Sequence, residues 1–144
     1  MPCCRLLCVL PALLIGACSS VTAHGVIRDF EGRPIENASV SVREPASGTA
    51  LETALSEANG CFNLFAAVKG DQNQFILEVK APGRKAVAFT FERNQHDPLL
   101  VIVAGQSAPQ EGSVRPITSL ERYSLFDLYC APAVVPDATT LGIR

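Results

Sequence analysis

Apolar and polar residues alternate with a period near two along most of residues 22–104. In the segment 38–43, for example, Ala38, Val40 and Val42 alternate with polar or charged residues, which is typical of a strand that is buried on one face. Turn-forming residues recur about every 8–12 positions, and no long helical pattern separates the runs. The pattern predicts seven strands, at residues 24–28, 38–43, 49–56, 61–67, 75–79, 87–91 and 99–103.

Two of these segments have unusual compositions for strands. Residues 49–56 are rich in Ala and Leu and would also suit a helical turn, but the strand patterns on both sides favour a strand. Residues 99–103 are apolar on both faces, which favours a strand inside the fold. Together the segments predict an all-β protein, a seven-stranded antiparallel Greek-key β-sandwich.

The N-terminus has the layout of a cleaved secretory signal. A short head that carries Arg5 precedes an apolar run at residues 6–15, which at about ten residues is too short to span a bilayer as a helix. Residues 14–18, Leu-Ile-Gly-Ala-Cys, resemble a bacterial lipobox. This resemblance implies that Cys18 becomes the lipidated N-terminus, and Ser19 after it implies sorting to the outer membrane of a Gram-negative cell. The alternative is an ordinary signal peptide that is cleaved further on, near Ala23.

Composition narrows the remaining possibilities. The chain of 144 residues has a formal net charge of −2, without the basic excess of a nucleic-acid-binding protein, and 48% hydrophobic residues favour a packed core over disorder. Cys3, Cys4 and Cys8 belong to the signal, and Cys18 belongs to the lipobox. Cys61 and Cys130 are left, and they either form a disulfide in an oxidising compartment or fill apolar sites separately.

A further resemblance rests on a set of residues in a fixed order: Gly25, Val26, Asp29, Gly32, Pro34-Ile35, Ala38-x-Val40, Gly60-x-Phe62 and Pro82-Gly83. The segment resembles the carboxypeptidase regulatory-like domain, whose fold is a transthyretin-like (prealbumin-type) sandwich of seven strands. Arg84 departs from this family, which often has Tyr at that position. The resemblance implies a binding or structural accessory role in the cell envelope.

The last 40 residues differ in character, because four prolines interrupt regular structure between residues 105 and 144. Apolar residues between 118 and 129 are compatible with either a short helical face or an extended segment beside the sandwich. We expect this tail to dock on the domain. The predicted organisation is therefore a signal peptide (1–17), a lipidated Cys and linker (18–21), the sandwich (22–104) and an irregular tail (105–144).

Residues with catalytic potential are few. His24 and His96 lack the spacing of a zinc site, and no nucleophile elbow or nucleotide-binding glycine pattern is present, so we expect no catalytic residue, metal or other cofactor. Lys80, Arg84 and Lys85 could hold an anion, although a solvated strand end explains them as well. The loops 29–34, 45–48, 57–60 and 81–85, and the exposed strand edges, are the candidate contact surfaces.

These observations predict a non-enzymatic lipoprotein of the bacterial outer membrane, anchored through Cys18 and facing the periplasm. Its expected partners are the membrane and an envelope protein or glycan, with no nucleic acid. One alternative is a transthyretin-like hydrolase that uses the His96-Asp97 loop. Such hydrolases share a C-terminal Tyr-Arg-Gly-Ser, whereas the last residues here are Thr-Leu-Gly-Ile-Arg. The other alternative is a periplasmic protein that binds a small solute in a sandwich cleft.

Overall fold

Two four-stranded sheets pack face to face in the computed structural model, which describes residues 19–127 and residue 130. The described residues form eight strands: β1 Ser19–Asp29, β2 Ser39–Arg43, β3 Ala50–Leu55, β4 Cys61–Val68, β5 Gln74–Lys80, β6 Val87–Glu92, β7 Leu99–Val103 and β8 Ser113–Pro116. Sheet A has the order β4-β1-β7-β8, and sheet B has the order β3-β2-β5-β6. The prediction of an all-β sandwich is confirmed.

Two details of the prediction are wrong. An eighth strand, β8, extends sheet A from within the predicted irregular tail, and β1 pairs with β7 in parallel rather than antiparallel fashion. The pattern missed β8 because the strand has only four residues and ends at Pro116, which is tolerated on a sheet edge. The parallel pair arises because the five strands between β1 and β7 carry the chain to the other sheet and back.

The core lies between the inner faces of the two sheets, where the alternating apolar residues of each strand meet. Its largest fully buried side chains include Ile27, Leu64, Phe75, Leu77 and Leu99. The Phe75 and Phe91 rings lie 6.1 Å apart on neighbouring strands of sheet B. Segment 49–56, which could have been helical, forms edge strand β3 in this arrangement, because its Leu51 and Ala54 pack against the core.

Strand β1 is longer than predicted. It begins at Ser19, which pairs with Val68 of β4, so residues 19–21 of the expected linker are already part of the sheet. Val21 is only 1% exposed and belongs to the core. The polar residues Ser19 and Ser20 hid this extension, because they gave no alternating apolar signal of their own. The predicted signal peptide and Cys18 lie outside the described residues.

The tail covers the part of the outer face of sheet A around Val26 and Leu100. After β8 the chain forms a short helix, α1 (Ser119–Arg122), and a π-helical turn, Tyr123–Asp127. Ile117 is buried against Val26 and Leu100, and Leu125, Phe126 and other partly buried residues pack beside them. Of the two conformations predicted between residues 118 and 129, the described residues adopt the helical one, while β8 lies just before this stretch, where no strand was predicted. Residues 128, 129 and 131–144 lie outside the described part of the chain.

Asn-Gly pairs favour a tight hairpin, but the Asn59-Gly60 turn connects the two sheets instead. Strand β3 ends in sheet B, and β4 begins in sheet A. Gly60 has φ +81°, and a Cβ at this position would lie 2.4 Å from the carbonyl oxygen of Ile27. That oxygen accepts a hydrogen bond from the Ile35 amide at 3.0 Å, so the crossover is tied to the loop that follows β1.

Replacing Gly60 separates steric contact from backbone strain. Gly32 has a similar φ of +80° but open space around it, so Gly32→Ala should cost only the left-handed backbone conformation, about 1–2 kcal/mol. Gly60→Ala must also displace the Ile27 carbonyl, and we expect a loss of about 3 kcal/mol or more. Urea unfolding of both variants measures the difference. Equal losses would show that the crossover can relax around a methyl group.

Candidate functional site

Three of the four predicted contact loops meet at one end of the sandwich, which we call the loop pole: residues 29–34, 57–60 and 81–85. Loop 29–34 contacts the other two loops. Gly60, which has no side chain, lies against Pro34, and Arg84 forms an ion pair with Asp29. The fourth loop, 45–48, follows β2 at the opposite end, because β2 runs from the Lys80 end of β5 towards Ile76. The structure thus concentrates the predicted contact surface at one pole.

Asp29 organises the loop pole. Its carboxylate is buried, and Oδ1 accepts hydrogen bonds from the backbone amides of Glu31 at 3.0 Å and Arg33 at 2.9 Å. Its Oδ2 lies 2.8 Å from Arg33 Nε and 3.5 Å from Arg84 Nη2. Burial alone would raise the pKa of Asp29, but the amides and the Arg33 guanidinium outweigh it, so the pKa lies below its ordinary value. The ionised carboxylate therefore fixes loop 29–34.

The three cations considered as an anion site do not converge on one. Lys80 contacts Glu78, Arg84 contacts Asp29, and Lys85 lies 2.8 Å from Glu111. Each positive charge has a carboxylate partner on a different part of the sandwich. This arrangement supports the structural interpretation of the three residues, as stabilising contacts at strand ends and loops.

The loop pole displays an aromatic side chain on a rigid support. Phe30 is 52% exposed, between the buried Asp29 and the exposed Glu31 and Arg33, which form a 3.0 Å ion pair with each other. An exposed aromatic ring flanked by charged groups is a common composition for a contact point with a protein or a sugar. The loop pole therefore has the composition of a contact surface.

A second group of polar residues lies by the outer face of sheet A, under the tail. The His24 ring on β1 packs against the Phe126 ring, with centroids 5.3 Å apart. Burial lowers the pKa of His24, the charges of Arg122 and His96 lower it further, and Asp97 opposes them. The fold thus brings His24 within electrostatic range of His96 and Asp97, which alternation along the chain does not predict. Among the described residues, no cluster of three or more His, Cys, Asp or Glu side chains could hold a metal ion.

Cys61 and Cys130 are joined by a disulfide in the structure, with their Cα atoms 5.6 Å apart. Cys61 is the first residue of β4, at the edge of sheet A, so the bond attaches the end of the covering tail to the sheet. Cys130 also packs, partly buried, in the apolar cluster around Val26 and Leu100. Of the two arrangements that the sequence allowed for these cysteines, the structure has the paired one.

The predicted lipidation site immediately precedes the described fold. Ser19, the residue after Cys18, is the first residue of β1, and its hydroxyl donates a hydrogen bond to the Val68 carbonyl at 3.3 Å. No helix within residues 19–127 has the length and apolar character needed to cross a membrane.

Comparison with solved structures relates the chain to the transthyretin-like fold. It is similar to 5-hydroxyisourate hydrolase from Klebsiella pneumoniae, with a TM-score of 0.50 and 19% identity over 68% of this chain and 99% of that chain. A weaker similarity, with a TM-score of 0.42 and 10% identity, is to 3-chlorocatechol 1,2-dioxygenase from Rhodococcus opacus 1CP, over 72% of this chain and 62% of that chain. No protein-family model and no curated protein matches the sequence. At this identity the likeness to the hydrolase supports the transthyretin-like sandwich, and it carries no information about activity.

The role of Asp29 predicts a pH-dependent contribution to stability. Because its pKa is lowered in the folded state, its ionised form stabilises the fold at neutral pH, and this contribution is lost as the pH falls from about 4 through the lowered value. Asp29→Asn keeps an acceptor for the two amides but loses the charge, so we expect a loss of about 1–3 kcal/mol at pH 7. The difference in the free energy of unfolding between this variant and the unmodified protein should become smaller below pH ~4. If urea unfolding gives the same free-energy difference across this pH range, the proposed role of Asp29 is contradicted.

We expect the Cys61–Cys130 disulfide to stabilise the folded protein strongly by holding the tail on sheet A. It closes a loop with a sequence separation of 69 residues, so Cys130→Ser should lower the free energy of unfolding by about 2–4 kcal/mol. Adding a reductant should have the same effect on the unmodified protein and none on the double variant Cys61→Ala, Cys130→Ala. Denaturant unfolding with and without reductant tests both statements. Insensitivity of the unmodified protein to reductant would mean that the bond does not hold the tail.

Proposed function

We propose that this protein is a non-enzymatic lipoprotein of the bacterial outer membrane, whose sandwich faces the periplasm and presents its loop pole to a partner. The observation that carries the proposal is the position of the fold relative to Cys18. Cleavage before Cys18 would leave β1 complete. Cleavage near Ala23, the alternative, would remove the residues that pair with 64–68 of β4, including the buried Val21. The fold therefore favours the lipobox cleavage.

The disulfide is consistent with this location. Such bonds persist in the periplasm and are rare in the reducing cytosol. Cys61 and Cys130 are the two cysteines that remain after lipobox processing has removed or modified the other four. A chain that is exported and then oxidised would therefore have no free thiol at the end of its maturation.

The loop pole is the proposed binding surface. Phe30 and its neighbouring charges sit on a loop whose conformation is set by the buried Asp29 carboxylate, so little ordering would be needed on binding. The partner that fits this chemistry is an envelope protein or glycan, since an exposed ring packs on an apolar pocket or on the face of a sugar. No cofactor enters this role.

A second candidate function is that of a transthyretin-like hydrolase. The observation in its favour is that the charges of Arg122, His96 and Asp97 all act on the pKa of His24. Against it, the Phe126 ring packs on His24, and the disulfide attaches the tail that carries this ring. Turnover of 5-hydroxyisourate by the purified protein, lost in His24→Ala, would favour the hydrolase.

The anchoring proposal is tested by removing the lipidated residue. Cys18→Ala should prevent lipidation and move the protein from the membrane fraction to the soluble periplasmic fraction. Cys8→Ala, within the predicted signal, is the matched control and should leave the protein in membranes. Immunoblots of cell fractions and intact mass measurement of the mature protein provide the readouts. A Cys18→Ala protein that stays in membranes would refute lipid anchoring at this residue.

A further inference from the structure

The chain has no stalk between its proposed lipid anchor and its folded domain. Consecutive Cα atoms are about 3.8 Å apart, and Ser19 is already paired with Val68 and hydrogen-bonded to it. The glycerol of a diacylglycerol on Cys18 would lie at the boundary between headgroups and hydrocarbon. Given the lipidation proposed above, on which this step rests, the beginning of β1 must therefore lie at the depth of the headgroups.

The part of sheet A next to this point has an outer face without charged side chains. It is formed by exposed residues of two neighbouring strands: Ser20 and Thr22 on β1, and Asn63, Phe65 and Ala67 on β4. We call this surface the anchor face. Phe65 is 62% exposed, one of the few large apolar side chains that the described fold leaves open.

The anchor face and the surface under the tail are different parts of the same sheet. The tail packs on Val26, Leu100 and His24, further along β1 from Ser19. Phe65 pairs with Thr22, three residues from the Ser19–Val68 pair, which is about 10 Å along a strand. The headgroup region of one leaflet is roughly 5–8 Å thick, so a sheet that leans onto this face brings the Phe65 ring into it.

A cation from the segment that follows β6 is held at the turn after β4, near the same point. Arg93 donates a hydrogen bond from Nη2 to the Gly70 carbonyl at 3.1 Å, and its amide donates to the Asn73 carbonyl at 2.8 Å. Exposed Lys69 precedes this turn directly after β4. The Arg93 guanidinium also lies over the Phe75 ring, 5.9 Å from its centroid, so exposed Lys69 is the better partner for phosphate headgroups.

We infer that the anchor face, with Phe65 at its centre, lies on the phospholipid surface to which Cys18 is attached. The tether holds the face beside the bilayer, so even a weak contact is occupied because its effective concentration is high. The loop pole lies outside this contact, since it is at the other end of β1, roughly 33 Å along the strand from Ser19. Other occupants of the anchor face, the residues 131–144 or a second copy of the chain, would shield it without a membrane.

The test compares two exposed phenylalanines at opposite ends of the sandwich. Phe65→Cys and Phe30→Cys variants of the full lipidated protein are labelled with a fluorophore that senses polarity. They are then reconstituted into vesicles of phosphatidylethanolamine and phosphatidylglycerol that contain nitroxide-labelled lipid. We expect the label at position 65 to be quenched severalfold more strongly than the label at position 30. Equal quenching at the two positions, in vesicles that carry the protein, would overturn the inference and leave the lipid anchor intact.

A soluble version of the same protein identifies any other occupant. In the combined variant Cys18→Ala, Phe65→Cys, the label should be open to aqueous iodide, as it is in Cys18→Ala, Phe30→Cys. Shielding at position 65 without a membrane would overturn the inference, and its dependence on protein concentration would separate a second copy from the chain's own tail. If the unmodified protein carries no lipid and does not float with vesicles, the proposed function fails first and the orientation fails with it.

Discussion

The need to bury both faces of the second half of β1 determines most of this structure. The inner side chains of β1, such as Val21 and Ile27, enter the main core, while Val26 on the outer face is equally buried. A two-layer sandwich covers only the inner face. The tail supplies the missing layer, with Ile117 packed on Val26 and Leu100, and the disulfide fixes the end of that layer to β4. The close approach of β7 requires glycine at position 25, because a Cβ there would lie 2.1 Å from the Leu99 carbonyl oxygen.

Strand β1 also links the two ends of the molecule. Its first residue follows the proposed lipid anchor, and its last residue, Asp29, organises the loop pole. A single paired strand is a stiff connection, so the loop pole has a fixed position relative to residue 19. The charge of the buried Asp29 carboxylate at the end of β1 is compensated locally, by two backbone amides and two guanidinium groups around it.

The sequence predicted the elements whose signal is local. Alternation located the seven central strands, and the apolar run 99–103 correctly indicated a strand covered on both faces. The same observation could have predicted the covering tail, because Leu100 and Val26 needed apolar partners outside the sandwich. Contacts between residues distant in sequence were beyond such reasoning. The ion pair of Arg84 with Asp29 and the nearness of His24 to His96 depend on sheet order and register, which alternation does not specify.

The covering tail makes a ligand's access to His24 costlier than a partner's access to the loop pole, and this difference distinguishes the two candidate functions. A ligand that uses His24 must compete with the Phe126 ring and with the apolar contacts of Leu125 and Ile117, which the disulfide holds in place. A partner at the loop pole meets Phe30, which is already exposed on a loop fixed by Asp29. Binding at the loop pole therefore requires neither displacement of packed residues nor ordering of a flexible loop. This difference in cost favours a binding role at the end of the sandwich over chemistry on its covered face.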